Sequence, residues 1–203
     1  MNCRLDGSVV LRNCGHGRGR VGMADTQNGH FHIETRFEPI LDCKKDNVMT
    51  YQRLTQAATC GCGVSKFNVD GVPIARFKCH CTICQSLYKK PFADVVMLWG
   101  GAIALPDEQP FTFRKYRPPP ALQRATCNAC GAPVVGFLRL APFVRLAFVQ
   151  CANFSNQDAL PPPSVHIFYN SRVQDVADDL PKISGYWASE IAVTKLLMSS
   201  PAK

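Results

Sequence analysis

Hydrophobic and polar positions alternate over short stretches from about residue 58 onward, and glycine or proline breaks the pattern at close intervals. Val64-Ser65-Lys66-Phe67-Asn68-Val69 alternates, Asp70-Gly71 interrupts, and Ile74-Ala75-Arg76-Phe77-Lys78 resumes. This predicts a β-hairpin turning at Asp70-Gly71. Residues 93–99 form a nearly unbroken apolar run ended by Gly100-Gly101, which predicts a buried strand. Residues 111–116 alternate at their start, and 134–138, 144–149 and 165–169 predict three more strands. Two Pro-Pro-Pro runs, 118–120 and 161–163, punctuate the loops. Helix is scarce: a short turn over 174–180 and a terminal segment over 189–199. The expected fold class is mainly β, built from short antiparallel strands with little helix.

The first 48 residues carry neither period, and Gly15-His16-Gly17-Arg18-Gly19-Arg20 is Gly/Arg-rich. They predict a flexible N-terminal extension. Met49 offers a natural start, so the native protein need not contain residues 1–48. Residues 49–190 are then the folded domain and 191–203 a C-terminal tail or short helix.

With 203 residues, 46% hydrophobic and 19% charged, the chain is long and apolar enough to bury a core without disulfides. No stretch approaches the roughly 20 apolar residues of a membrane helix. The opening Met1-Asn2-Cys3-Arg4-Leu5-Asp6 leads into no apolar run, so a cytoplasmic location is expected, where thiols stay reduced. Eleven cysteines in such a compartment need a reason other than disulfides. Metal binding is the usual one.

Seven of the cysteines fall into three tight groups: Cys60-Gly61-Cys62-Gly63, Cys79-His80-Cys81-Thr82-Ile83-Cys84 and Cys127-Asn128-Ala129-Cys130-Gly131. Thiolates are soft ligands that hold zinc tetrahedrally, and glycine after the last cysteine suits the tight turn of a metal knuckle. Seven sulfurs divide as four and three. Cys60, Cys62, Cys127 and Cys130 can close a structural Cys₄ site, which leaves Cys79, Cys81 and Cys84 around a zinc with an open fourth position, the mark of a catalytic site. A single zinc with an idle trio is a competing reading. A redox dithiol is another, but its usual βαβ setting is not visible. On an extended segment His80 points away from Cys79 and Cys81, so it reads as a flanking residue. Cys151 reads as a small core hydrophobe and His166 as a hydrogen-bonded structural histidine. Phe92 and Trp99 read as core.

The three motifs, in this order and spacing, resemble the glutathione-dependent formaldehyde-activating enzyme family, whose domain is shared with centromere protein V. The likeness covers about residues 49–187, with Pro163-Ser164-Val165-His166-Ile167 and Leu180-Pro181 similar to the family's C-terminal portion. It implies an Mss4-like β-tent with two zinc ions per chain. Cys60, Cys62, Cys127 and Cys130 would hold the structural zinc and Cys79, Cys81 and Cys84 the catalytic one. It also implies a carbon–sulfur lyase that joins glutathione, as co-substrate, to formaldehyde or a related small aldehyde. Where many family members carry a basic residue directly after the trio, this chain has Gln85.

Glutathione carries two carboxylates, and the cations nearest the trio in sequence are Arg76, Lys78, Lys89 and Lys90. Arg114, Lys115, Arg117 and Arg124 form a second basic stretch. The alternative to an enzyme is a non-catalytic zinc-binding interaction module with a nucleic-acid or protein partner. The net charge of +8 invites it. Residues 1–48 hold 7 Lys+Arg and 6 Asp+Glu, so nearly all the excess belongs to the domain. Two zinc–thiolate sites, one net −2 and one net −1, would reduce that excess to about +4. Only 111–117 interleaves aromatics with cations, and its alternation suits a core-facing strand. A small anionic thiol suits the remaining charge at least as well as a polyanion.

Overall fold

A computed structural model describes residues 51–108, 110–118 and 122–200. The expected extension at 1–48 lies outside the described residues. The described elements run β1 (Leu54–Thr59), β2 (Lys66–Gly71), β3 (Ala75–Cys79), α1 (Thr82–Tyr88), β4 (Ala93–Trp99), β5 (Ile103–Ala104), β6 (Phe111–Lys115), β7 (Gln123–Cys127), β8 (Pro133–Ala141), β9 (Val144–Gln150), β10 (His166–Ile167) and α2 (Tyr186–Met198). The fold is mainly β, with ten strands and two helices among the described residues.

The strands form two sheets. One has three strands in the order β1-β2-β5, the other seven in the order β10-β3-β4-β9-β8-β7-β6. Every pairing is antiparallel except β10 with β3. The apolar run of β4 is explained by its central place. Val96 and Leu98 pack toward the small sheet, in one core with Leu54, Ala58, Phe67 and Val69. Val95 and Met97 pack on the opposite face, in a second core that also holds Cys84 of α1 and Val193 and Leu196 of α2. A strand buried on both faces has no polar side to show. The layers are therefore small sheet, large sheet and helices.

Three expectations need correction. The hairpin at Asp70-Gly71 does not form: β2 pairs with β1 and β5, while β3 pairs with β4 and β10. Gly71 lacks the positive φ that a two-residue type I′ turn requires. It stays in the ladder opposite Leu54. Asp70 is held there by β1 and the residue before it: its carboxylate accepts from Arg53 Nε at 2.7 Å, Arg53 Nη2 at 2.9 Å and Thr55 Oγ1 at 3.0 Å. The chain then leaves one sheet for the other through Val72-Pro73-Ile74. The helical turn over 174–180 is also absent. Asp175 and Asp178 instead bond to Tyr169, Arg172, Lys78, His166 and Lys182, which draws that segment across the strands. The terminal helix starts at Tyr186, three residues before its expected start, because Gly185 at φ 90° sets the turn before it.

Candidate metal centres and the cavity between sheet and helices

The outer four cysteines sit on two matching knuckles. After β1, Gly63 N–H donates to Cys60 O at 2.9 Å and Cys60 N–H to Ser65 O at 2.9 Å. After β7, Gly131 N–H donates to Cys127 O at 2.8 Å and Cys127 N–H to Ala132 O at 2.9 Å. Gly63 and Gly131 take φ of 79° and 69°, where a side chain would be strained. The folded chain brings together the sulfurs of Cys60, Cys62, Cys127 and Cys130, all within 4.8 Å of one another. Cys62 Sγ lies 3.3 Å from Cys60 Sγ and 3.7 Å from Cys127 Sγ. Zinc–sulfur bonds of about 2.3 Å place tetrahedral sulfurs ~3.8 Å apart, so the donor set and its spacing fit zinc.

Cys79, Cys81 and Cys84 also converge, their sulfurs within 4.8 Å of one another. Cys79 ends β3, Cys81 caps α1, and Cys84 lies in the first turn of that helix. The cap is made by sulfur: Cys84 N–H donates to Cys81 Sγ at 3.4 Å. Helix α1 escapes the sequence pattern because it is seven residues long and begins inside the cysteine motif. Without a cation the three thiols oppose one another. Hydrogen bonds from Cys79 and Cys84 bring Cys81 down to about 2. For Cys84 the bond from Cys79 pulls downward, but Cys81 and burial prevail and push it up to about 12. Cys79 is raised too, by its bonds to Cys81 and Cys84 and by burial. The site tolerates one thiolate by itself, and a divalent cation would relieve that antagonism. The trio thus fits a metal ion as well.

The two clusters lie on opposite faces of the seven-stranded sheet. Cys60 and Cys127 belong to the core shared with the small sheet, and Cys79 and Cys84 to the core shared with the helices. The trio borders a cavity. That cavity measures about 310 Å³, and the three cysteines, Tyr88, Arg124, Arg117, Glu190 and apolar side chains from the sheet and α2 line it.

Arg124 was one of eight basic candidates in the sequence. Alternation along β7 sends Ala125 into the core beside the small sheet and Arg124 to the opposite face, buried, with Nη2 4.0 Å from Cys84 Sγ. Lys89 and Lys90 are exposed and do not line the cavity. Arg76 is paired with Asp94 at 2.7 Å, and Lys78 with Asp178 at 2.9 Å. Arg114 and Lys115 are on the exposed end of β6, whose Phe111 and Phe113 pack into the core.

Gln85, in the position after the trio, donates from Nε2 to His80 O and Ser171 O, both at 2.6 Å. It fastens α1 to the loop after β10. His80 stands outside both sulfur clusters, fully buried against Phe92, His166 and Tyr169. His166 is buried and bonded to Asp178, and Cys151 is buried with its thiol donating to Asp94 Oδ1 at 3.1 Å. Trp99 packs on the second core and, like Phe92, does not line the cavity.

The sequence pattern of the family described as glutathione-dependent formaldehyde-activating enzyme matches residues 55–171. The chain belongs to that family. No curated protein matches it. The matched stretch includes all three cysteine motifs and β10, whereas α2, which contributes Tyr186, Glu190 and Val193 to the cavity wall, lies beyond it. The Mss4-like, β-rich architecture of the family agrees with the two sheets described above. Among the described residues no helix is long and apolar enough to cross a membrane.

Proposed function

We propose that the chain is a zinc-dependent carbon–sulfur lyase of the formaldehyde-activating type, which forms or cleaves S-hydroxymethylglutathione from glutathione and formaldehyde or a related small aldehyde. One observation carries this reading within the family: a trio of convergent sulfurs borders a cavity beside a buried guanidinium, while the other four sulfurs converge elsewhere. Cys60, Cys62, Cys127 and Cys130 would hold a structural zinc, and Cys79, Cys81 and Cys84 a catalytic zinc with one position open. When bound there, zinc supplies a soft Lewis-acid position that favours the ionised form of an incoming thiol.

The chain's own groups supply the rest. Sulfur adds to the carbonyl carbon, and negative charge gathers on the carbonyl oxygen. Arg124, fixed on β7 between two paired strands, offers N–H donors to that oxygen without having to reorganise. Tyr88 lines the same cavity, and its hydroxyl is the proton donor we assign to the product hydroxyl. Burial, reinforced by Cys84, raises its phenol, so it stays protonated and able to donate. A cytoplasmic setting belongs to the same reading, and all eight described cysteines are free thiols.

Metal analysis and exchange spectroscopy test it together. Two zinc ions per chain are expected, falling to one in Cys81→Ser. NMR exchange between free formaldehyde and its glutathione adduct should exceed that of a protein-free control. One zinc in the unaltered protein, or exchange no faster than the control, would refute the assignment.

A further inference from the structure

We propose that the cavity beside Cys79, Cys81 and Cys84 holds the hydrocarbon part of an aldehyde larger than formaldehyde, so that the preferred substrate is an aliphatic or aromatic aldehyde. The proposal rests on the lyase reading and names its substrate class.

Size is the first argument. The cavity of about 310 Å³ lies at the lower end of the ~300–1,000 Å³ found for sites that enclose drug-sized ligands. Formaldehyde has two heavy atoms and would leave most of that space to water.

The wall is the second. Phe77, Val95, Leu138, Phe148, Ile167 and Val193 line it, from five strands and α2. Phe77, Val95, Phe148 and Ile167 are buried, so they form its inner part. Arg117 and Glu190, with side chains 36% and 39% exposed, mark its outer part. Water against such an inner wall is unfavourable, and a hydrocarbon chain displaces it with gain.

Charge is the third. A glutathione molecule drawn fully inside would bring two carboxylates. Arg117 lies 3.6 Å from Glu190, donates to Tyr186 Oη at 3.1 Å and stacks on that ring. Arg124 faces the Cys84 sulfur. Arg117 already has partners, Arg124 is committed beside the trio to the carbonyl oxygen, and among the described residues no lysine lines the cavity. The interior therefore suits a neutral, apolar group, with the charged ends of the thiol outside.

The step stays balanced. The thiol sulfur forms one bond to the aldehyde carbon, the carbonyl π pair moves to oxygen, and that oxygen takes up a proton equivalent to the one the thiol gives up. The product is a hemithioacetal, and nothing is oxidised or reduced.

Calorimetric titration of the zinc-loaded chain with S-hexylglutathione and S-methylglutathione tests the cavity without relying on turnover. Each added methylene should tighten binding by roughly fourfold where it is fully buried, so the hexyl ether is expected to bind at least about 50-fold more tightly. Val193→Glu should erase most of that gain. Equal affinity of the two ethers for the unaltered chain would overturn the proposal, and this comparison needs no variant. Adduct formation from formaldehyde, butanal and hexanal, each against its protein-free rate, separates the two readings. Tight hexyl binding with no acceleration for any aldehyde would sink the lyase assignment and leave the hydrocarbon site standing. Acceleration for formaldehyde with equal ether affinities would do the reverse.

Discussion

His80 lies between two sulfur-bearing residues yet turns its ring away from both. Its Nε2 is 2.8 Å from His166 Nδ1, and His166 Nε2 is 2.9 Å from Asp178 Oδ2. A carboxylate accepts, so His166 Nε2–H donates to Asp178, and a neutral His166 then accepts the proton of His80 Nε2–H. His80 Nδ1 is left buried with no hydrogen-bond partner among the described residues. Burial, helped by His166, Lys78 and Arg172, pushes His80 down to about 4. The sign follows from linkage: the unfolded chain takes up this proton near pH 6.5, and the fold refuses it until about pH 4. Stability from a neutral His80 is full above ~6.5 and is lost as pH falls toward 4. Asp178, held well below the usual carboxylate range by Lys78 and His166, adds a second loss below about pH 4. Urea midpoints should therefore drop between pH 6.5 and 4, and the drop should be shallower in His80→Gln, which cannot titrate. Identical slopes would remove His80 from the account. Arg124 makes the companion case for activity. Arg124→Gln should lower kcat/KM by about 10²-fold with zinc content unchanged, as expected for loss of a preorganised donor. Loss of zinc alongside activity would make the residue structural.

The local signals that succeed and fail divide cleanly among the elements. Cysteine groups are legible because the two-residue spacing of a knuckle is itself the structure, and β4 is legible because burial on both faces leaves no polar position. The Asp70-Gly71 turn signal loses to β1, which pairs with β2 along all six residues. Helix α1 and the Asp178–His166–His80 chain are hidden for different reasons: one is too short to show a period, and the other joins residues 86 positions apart. Gly71 shows what its sequence signal meant. A Cβ there would stand 2.5 Å from Ala102 Cβ, so the glycine allows β2 to approach the turn before β5. Gly71→Ala should destabilise by about 1–3 kcal/mol through overpacking. Adding Ala102→Gly should restore most of the loss, since it removes the atom in conflict. Gly131→Ala meets nothing within 4 Å and should cost ~1–2 kcal/mol from its positive φ alone. No partner substitution should rescue that one. Chemical denaturation of the three variants reads both outcomes.

Across the whole molecule the two sulfur clusters have unlike mechanical positions. Cys60 and Cys62 follow a strand of the small sheet, and Cys127 ends and Cys130 follows a strand of the large one, so a metal held by all four would tie the sheets together. The trio joins β3 to α1, neighbours in sequence, and closes only a short loop. Cross-linking distant segments constrains the unfolded chain far more than cross-linking adjacent ones, and metal binding adds its free energy to folding wherever the unfolded chain lacks the site. Loss of the outer metal should therefore lower the melting temperature much more than loss of the inner one. Cys130→Ser is the informative variant because Cys130 is exposed and its replacement leaves no buried void. It should reduce Tm by well over 10 °C, since a few kcal/mol shifts a domain of this size by roughly 2–4 °C per kcal/mol and structural zinc contributes ~10 kcal/mol or more. Cys81→Ser should abolish adduct exchange while moving Tm by only a few degrees. Scanning calorimetry with zinc analysis on both variants decides it. Equal losses of Tm would mean that the trio bears as much of the fold as the knuckles, and the division into a structural and a catalytic site would fall.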